Sequence, residues 1–208
     1  MKITYDSEGK EKQIPKKQEE IPSFAQSPKG FIFELLKIVL IALAIILPIR
    51  YFLFQPFYVR GASMEPNFQD NQYLIIDEIT YRFSEPNRGD VVVIKPIINE
   101  SDFLIKRIIG LPNETVEING GKVTIFNDKN PQGLVLKEDY LSSGLYTNGS
   151  EKIKLGADEY FVMGDNRPVS LDSRSFGSLD KKNIVGRAWL RVWPFSEFQH
   201  FAAPQYNF

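Results

Sequence analysis

The chain has 208 residues, with 25 Lys and Arg against 26 Asp and Glu and a formal net charge of −1. That balance leaves no global basic field, so nucleic acid is not expected as a partner. Cysteine is absent and His200 is the single histidine, which excludes disulfides, thiol catalysis, thiolate metal sites and a multi-histidine metal centre within one chain.

Residues 1–30 are polar, rich in Lys, Glu and Gln, and carry Pro15, Pro22 and Pro28; they read as a flexible tail. Residues 31–54 are apolar apart from Glu34, Lys37, Arg50 and a few tolerable residues. As a helix this run would measure roughly 36 Å against a hydrocarbon core of about 30 Å, enough to span with some tilt. Its charges lie toward the ends, where they cost least, and Pro48 is placed to kink or end the helix.

Flanking charge gives an orientation. Lys12, Lys16, Lys17 and Lys29 precede the run, whereas residues 55–74 carry only Arg60. The positive-inside rule then predicts a single-pass protein of the cell membrane, with residues 1–30 cytoplasmic and residues 55–208 extracytoplasmic. The alternative is a cleaved signal peptide, because residues 38–49 have the length of an h-region and Gly61-Ala62-Ser63 is small. A polar leader of about 30 residues is long for an n-region, which favours an uncleaved anchor.

Beyond the anchor, short strands alternate with turns. Strands are predicted over residues 73–76, 91–94, 103–109, 115–118, 122–125, 159–163 and 184–192. Asn119-Gly120-Gly121 is a hairpin signal between two of them. Residues 127–150 have weak periodicity and many turn formers, and read as an elaboration. The expectation is one all-β domain on a membrane helix.

Two residues in this domain carry possible chemistry. Ser63 stands in a turn, Arg60-Gly61-Ala62-Ser63-Met64-Glu65-Pro66, shortly after the anchor. Lys106 stands in the apolar strand Leu104-Ile105-Lys106-Arg107-Ile108-Ile109. A serine hydroxyl needs a base to become a nucleophile. A lysine serves only when neutral, which at a pKa of about 10.4 holds for about one molecule in 2,500 at pH 7. Burial among apolar groups lowers that pKa. Strand alternation puts Lys106 on the face of Leu104 and Ile108, and Arg107 on that of Ile105 and Ile109. The bland reading is a solvent-facing strand lysine and a turn serine. A third segment, residues 164–177, is dense in hydrogen-bonding side chains and by itself reads as a polar loop held by Asx turns and Asp–Arg pairs.

Taken together, the chain resembles the bacterial type I signal peptidases, or leader peptidases. Four segments carry the resemblance, in order: Ser63-Met64-Glu65-Pro66, Arg88-Gly89-Asp90-Val91-Val92, Lys106-Arg107-Ile108-Ile109-Gly110, and Gly164-Asp165-Asn166-Arg167 followed by Ser170, Asp172, Ser173 and Arg174. The resemblance implies a signal-peptidase-like antiparallel β-sheet catalytic domain behind an N-terminal transmembrane helix. It implies Ser63 as the nucleophile and Lys106 as general base and then acid. Ser170 would hydrogen-bond the lysine amine, Asp172 and Arg174 would brace the site, and Asp165 would pair with Arg107. The Ser63 N–H would bind the oxyanion. Some relatives add a serine hydroxyl two residues before the nucleophile; here that residue is Gly61, so a second donor is unassigned.

The implied substrates are secretory preproteins with small residues at −3 and −1, gripped in shallow apolar pockets for which Phe57, Val59, Met64, Leu74 and Ile105 are the candidate walls. Membrane lipid is the other expected partner, with Trp189, Trp193, Phe195, Phe198 and Phe201 as candidate interfacial aromatics. The enzyme is expected to be monomeric, and no cofactor or metal is expected. Rival readings are a self-cleaving Ser-Lys regulator, a non-catalytic tethered β module, and a relative specialised for one surface protein.

Overall fold

A computed structural model describes residues 4–5, 11–12, 28–52, 54–95, 103–204 and 206. Near the N-terminus, β1 (Thr4–Tyr5) pairs antiparallel with β2 (Glu11–Lys12). The rest of the tail predicted over residues 1–30 lies outside the described residues, except for its last three, which begin a helix. That helix, α1, runs Pro28–Phe52. Its stretch Pro28–Leu47 is long and apolar enough to cross a membrane. The helix begins three residues before the stretch expected as the anchor, residues 31–54, and stops short of its end, because Phe54 already belongs to a strand.

Residues 48–208 form one compact unit. In chain order its elements are β3 (Phe54–Tyr58), β4 (Tyr73–Asp77), α2 (Thr80–Phe83), β5 (Val91–Ile94), β6 (Leu104–Gly110), β7 (Thr115–Asn119), β8 (Lys122–Phe126), β9 (Leu134–Val135), β10 (Glu151–Lys154), β11 (Glu159–Met163), α3 (Ser173–Phe176), β12 (Leu179–Asp180), β13 (Ile184–Trp193) and β14 (Gln199–His200). The larger sheet has the order β12-β11-β6-β5-β13-β4-β3, with β14 added beside β13. The smaller sheet has the order β10-β7-β8-β9. Every pairing is antiparallel.

Local sequence explains much of this. Asn119 faces Lys122 across a two-residue turn of Gly120 and Gly121, both at positive φ (56° and 80°). Such a turn matches the twist of the strands it joins, and glycine tolerates it. β3 was not foreseen, because its apolar residues continue the helical run without a break. Pro56 in its middle lacks an N–H, which an edge strand tolerates. β10 was hidden too, since Glu-Lys-Ile-Lys offers one apolar residue.

The alternation in β6 is visible in the core. Leu104 and Ile108 pack with Val92, Ile94, Tyr160, Val162 and Leu179. Ile105 joins Val59, Met64, Phe68, Leu74, Ile76 and Val93. Ile109 joins Val116, Ile118, Val123, Ile125, Phe161 and Met163, the layer that welds the smaller sheet to the larger one. β6, which carries Lys106, is thus buried by three apolar clusters.

Candidate active site

Ser63 lies in the turn between β3 and β4. The turn is pinned at its base by Val59 N–H to Gln72 O (2.9 Å) and Asn71 N–H to Val59 O (3.1 Å). Inside it, Gly61 N–H donates to Asp70 Oδ1 at 2.8 Å. Gly61 has φ +84°, the left-handed region that favours glycine. Met64 and Phe68, each 1% exposed, anchor the far side of the turn in the core.

β6 lies near the middle of the larger sheet and brings Lys106 to this turn. Lys106 is opposite Val92 of β5 and is 1% exposed. Its Nζ donates to Ser63 Oγ at 2.9 Å and to Ile105 O at 2.8 Å. Burial strips water from the ammonium and outweighs the attraction of the Asp172 and Asp165 charges, so the pKa is pushed down from 10.5 to about 8. About one lysine in ten is then neutral at pH 7, against about one in 2,500 for a free side chain.

Arg107 turns to a different partner. Its Nε and Nη2 donate to Asp165 Oδ1 (2.8 Å) and Oδ2 (2.6 Å), and its guanidinium lies 4.2 Å from the Tyr140 ring centroid. Burial works against the charge of Arg107, but the two-pronged carboxylate contact outweighs it and raises the pKa. Asn67 Nδ2 also donates to Asp165 Oδ2, at 2.8 Å.

The segment after β11 closes the site. Gly164 N–H donates to Asp172 Oδ2 (3.0 Å), and Asp172 also accepts from Arg174 Nε (2.8 Å) and Nη2 (2.7 Å). Burial alone would raise the Asp172 pKa; these donors hold it below the ordinary value. Gly164 packs so closely that a Cβ there would lie 2.2 Å from Ser170 Oγ and 2.4 Å from Ser63 O. Asn166 N–H donates to Ser63 O at 3.0 Å.

Ser170 differs from expectation. Its Oγ is buried but makes no regular hydrogen bond among the described residues, and Lys106 Nζ bonds Ser63 and Ile105 instead. It lies near enough to Asp172 to favour that carboxylate's charged form.

A cavity of about 400 Å³ opens beside Ser63 and Lys106. Four of the five expected wall residues, Phe57, Val59, Leu74 and Ile105, line it; Met64 does not. Met64 is buried, and its Sδ accepts the Asp165 N–H at 3.4 Å, so it supports the turn from behind. Val93, Leu104 and Phe103 also line the cavity and were missed. Val93 reaches it by pairing with Ile105 across β5 and β6, a register that the sequence does not give.

The family model described as signal peptidase, peptidase S26, matches residues 32–193. The chain belongs to that family. A signal peptidase I of Leptolyngbya laminosa is 37% identical over 190 residues, covering 86% of this chain and 87% of its own. A signal peptidase IB of Staphylococcus aureus is 33% identical over 176 residues, covering 79% and 91%. Among solved structures, a signal peptidase I from Enterococcus faecalis is 30% identical with a TM-score of 0.42, covering 50% of this chain and 97% of that one. The signal peptidase match thus takes in most of the helix α1 and nearly the whole β domain, including all four segments singled out in the sequence.

The elaboration expected at residues 127–150 supplies parts that the sequence did not advertise. Glu138 Oε1 accepts from Arg167 Nη2 at 2.5 Å, and Thr147 Oγ1 accepts from Arg167 Nη1 at 2.6 Å. Arg167 Nε in turn donates to Gly164 O at 3.1 Å. Arg167 is 1% exposed, so this pairing is what makes its burial tolerable.

Proposed function

We propose that the chain is a membrane-anchored signal peptidase I that cuts signal peptides from secretory preproteins after small residues at −3 and −1, using Ser63 and Lys106. The observation that carries this reading is the 2.9 Å approach of a buried, pKa-lowered lysine amine to a serine hydroxyl at the mouth of an apolar cavity.

In the neutral form, the Lys106 lone pair takes the Ser63 hydroxyl proton as Oγ bonds to the scissile carbonyl carbon. Negative charge then builds on the carbonyl oxygen and is met by the Ser63 N–H. Collapse of this intermediate breaks the C–N bond, and Lys106 returns its proton to the leaving amine, the new N-terminus of the mature protein. Lys106 then removes a proton from water as its oxygen adds to the acyl carbon; the bond from that carbon to Ser63 Oγ breaks, Oγ takes the proton back from Lys106, and the signal peptide leaves with a free carboxylate. The hydrogen bond from Nζ to Ile105 O holds the amine in place throughout. Asp172 and Arg174 brace the loop carrying Gly164, and Asp165 with Arg107 braces the neighbouring backbone. Ser170 fills the space between Gly164 and Asp172.

Phe57, Val59, Leu74 and Ile105 are the walls that accept alanine and exclude larger side chains. The helix α1 is read as the anchor, with the N-terminus cytoplasmic by the positive-inside rule and the β domain outside. Trp193, Phe195 and Phe198 are exposed, which supports contact with lipid headgroups. A monomer suffices, because one chain supplies both members of the dyad.

The test is incubation of the detergent-solubilised chain with a preprotein ending its signal peptide in Ala-X-Ala, followed by sequencing of the new N-terminus. Cleavage after the second alanine is expected. Ser63→Ala and Lys106→Ala should each abolish it while leaving the fold intact; processing by either would overturn the dyad.

A further inference from the structure

Asn166 grips the nucleophile from both sides. Its side-chain Nδ2 donates to Ala62 O at 3.0 Å, and its backbone N–H donates to Ser63 O at 3.0 Å. The Ala62 carbonyl and the Ser63 N–H belong to one peptide unit, and that unit is trans, so the two groups point in opposite directions. A donor on the carbonyl therefore lies behind the peptide as seen from the N–H. Asn166 Nδ2 cannot reach the oxyanion through this contact. It draws electron density toward the carbonyl oxygen, leaving the N–H a stronger donor, since linked hydrogen bonds strengthen one another by roughly 10–30% each.

We propose that Asn166 is a positioning residue for the oxyanion-binding N–H of Ser63, orienting and polarising the Ala62–Ser63 peptide from its carbonyl side. The inference rests on the reading of Ser63 as nucleophile.

Three further observations support it. Among the described residues the Ser63 N–H donates to no protein group, which leaves it available to a substrate oxygen. Gly61 brings no hydroxyl, and a Cβ built there meets nothing within 4 Å, so the Ser63 N–H carries more of the charge alone. Asn166 is itself fixed, because Asp165 before it is held by Arg107 and Asn67, and Arg167 after it by Glu138 and Thr147. The Glu65 N–H also donates to Ala62 O, at 3.2 Å, so the carbonyl has two donors and loses one when Asn166 is replaced.

The test compares the full chain with Asn166→Leu, which keeps approximate shape and the backbone N–H but removes the side-chain donor. Steady-state cleavage of an Ala-X-Ala preprotein gives kcat and KM. Inhibition by an Ala-X-Ala peptide aldehyde reports binding of a tetrahedral adduct whose oxygen sits where the oxyanion forms. Removing an oxyanion donor outright costs about 100-fold or more in kcat, and weakening one should cost less. We expect kcat to fall about tenfold, KM to stay within about twofold, aldehyde inhibition to weaken by the same factor as kcat, and the pH midpoint to stay where it is. Asn166→Gln, which keeps a donor, should recover part of the loss. An unchanged kcat, a loss confined to KM, or a lowered kcat with undiminished aldehyde affinity would overturn the proposal. Should Asn166→Leu fail to fold, Asn166→Ala is read by the same criteria. Ser63→Ala run in parallel separates the two readings: activity in that variant sinks the nucleophile assignment, whereas an inert Ser63→Ala beside a fully active Asn166→Leu sinks only this inference.

Discussion

Lys106 and Arg107 are consecutive residues of β6, and the fold drives their charges in opposite directions. Lys106 is buried with a hydroxyl and a carbonyl for company and titrates near 8. Arg107 is buried against both oxygens of Asp165 and is held more firmly charged than in water. Strand alternation is what lets neighbouring cations have such different surroundings. On the proposed mechanism one serves as a base and the other as a strut.

The first prediction is the pH dependence of cleavage. If Lys106 is the base of the proposed mechanism, its active form is the neutral amine, and kcat/KM should rise by about tenfold per pH unit below pH 8 and level off above it. Steady-state rates from pH 6 to 10 would measure the midpoint. A flat profile with chemistry rate-limiting would refute a lysine base.

The same pKa makes Lys106 a cost to the fold. Its folded pKa lies below the unfolded value of 10.5, so between about 8 and 10.5 the unfolded chain binds the extra proton and stability rises with pH. Below about 8 the cost is complete, up to about 3 kcal/mol. Lys106→Met should therefore unfold at higher denaturant than the parent at pH 7, with the gap closing as pH passes 10.5. Denaturant titrations of both chains in detergent at several pH values would check it; equal stability at pH 7 would contradict the lowered pKa.

How much of this was readable beforehand varies with the range of the interaction. The hairpin at Gly120 and Gly121 and the burial of β6 follow from a few adjacent residues. The meeting of Ser63 with Lys106 does not, because nothing in either segment's periodicity says that the turn after β3 folds over β6; the resemblance of the four motifs carried that expectation. Glu138, Tyr140 and Thr147 were invisible. They act through side-chain contacts to Arg167 and Arg107, in a stretch with no repeating pattern. Met64 was misplaced for a related reason: its position next to Ser63 says nothing about which way the side chain points, and it points into the core.

Asp172 gives a third prediction with two readouts. Its negative charge favours the Lys106 ammonium, so Asp172→Asn should move the pH midpoint of cleavage below 8. It also leaves the Arg174 guanidinium, whose side chain is 9% exposed, without its counter-charge. Breaking a buried pair in this way costs about 3–5 kcal/mol. Stability should fall by that order in denaturant titrations, and Arg174→Met in the Asp172→Asn background should recover part of it.

The last prediction concerns Gly164, where the loop and Ser63 touch. A Cβ at this position would lie 2.4 Å from Ser63 O, 2.2 Å from Ser170 Oγ and 2.5 Å from Ser170 Cβ. Shortening Ser170 removes only one of these clashes, because its Cβ and the Ser63 carbonyl remain. Gly164→Ala must push the Ser63 backbone away from β11, and with it the hydroxyl that faces Lys106 at 2.9 Å. A misplacement of about 1 Å at the reacting atoms costs on the order of 100-fold in rate. We therefore expect Gly164→Ala to lose at least about 100-fold in kcat/KM, and Gly164→Ala with Ser170→Ala to stay near that level. Recovery of activity in the double variant would show that the hydroxyl of Ser170, and not the carbonyl of Ser63, is what forbids a side chain at Gly164.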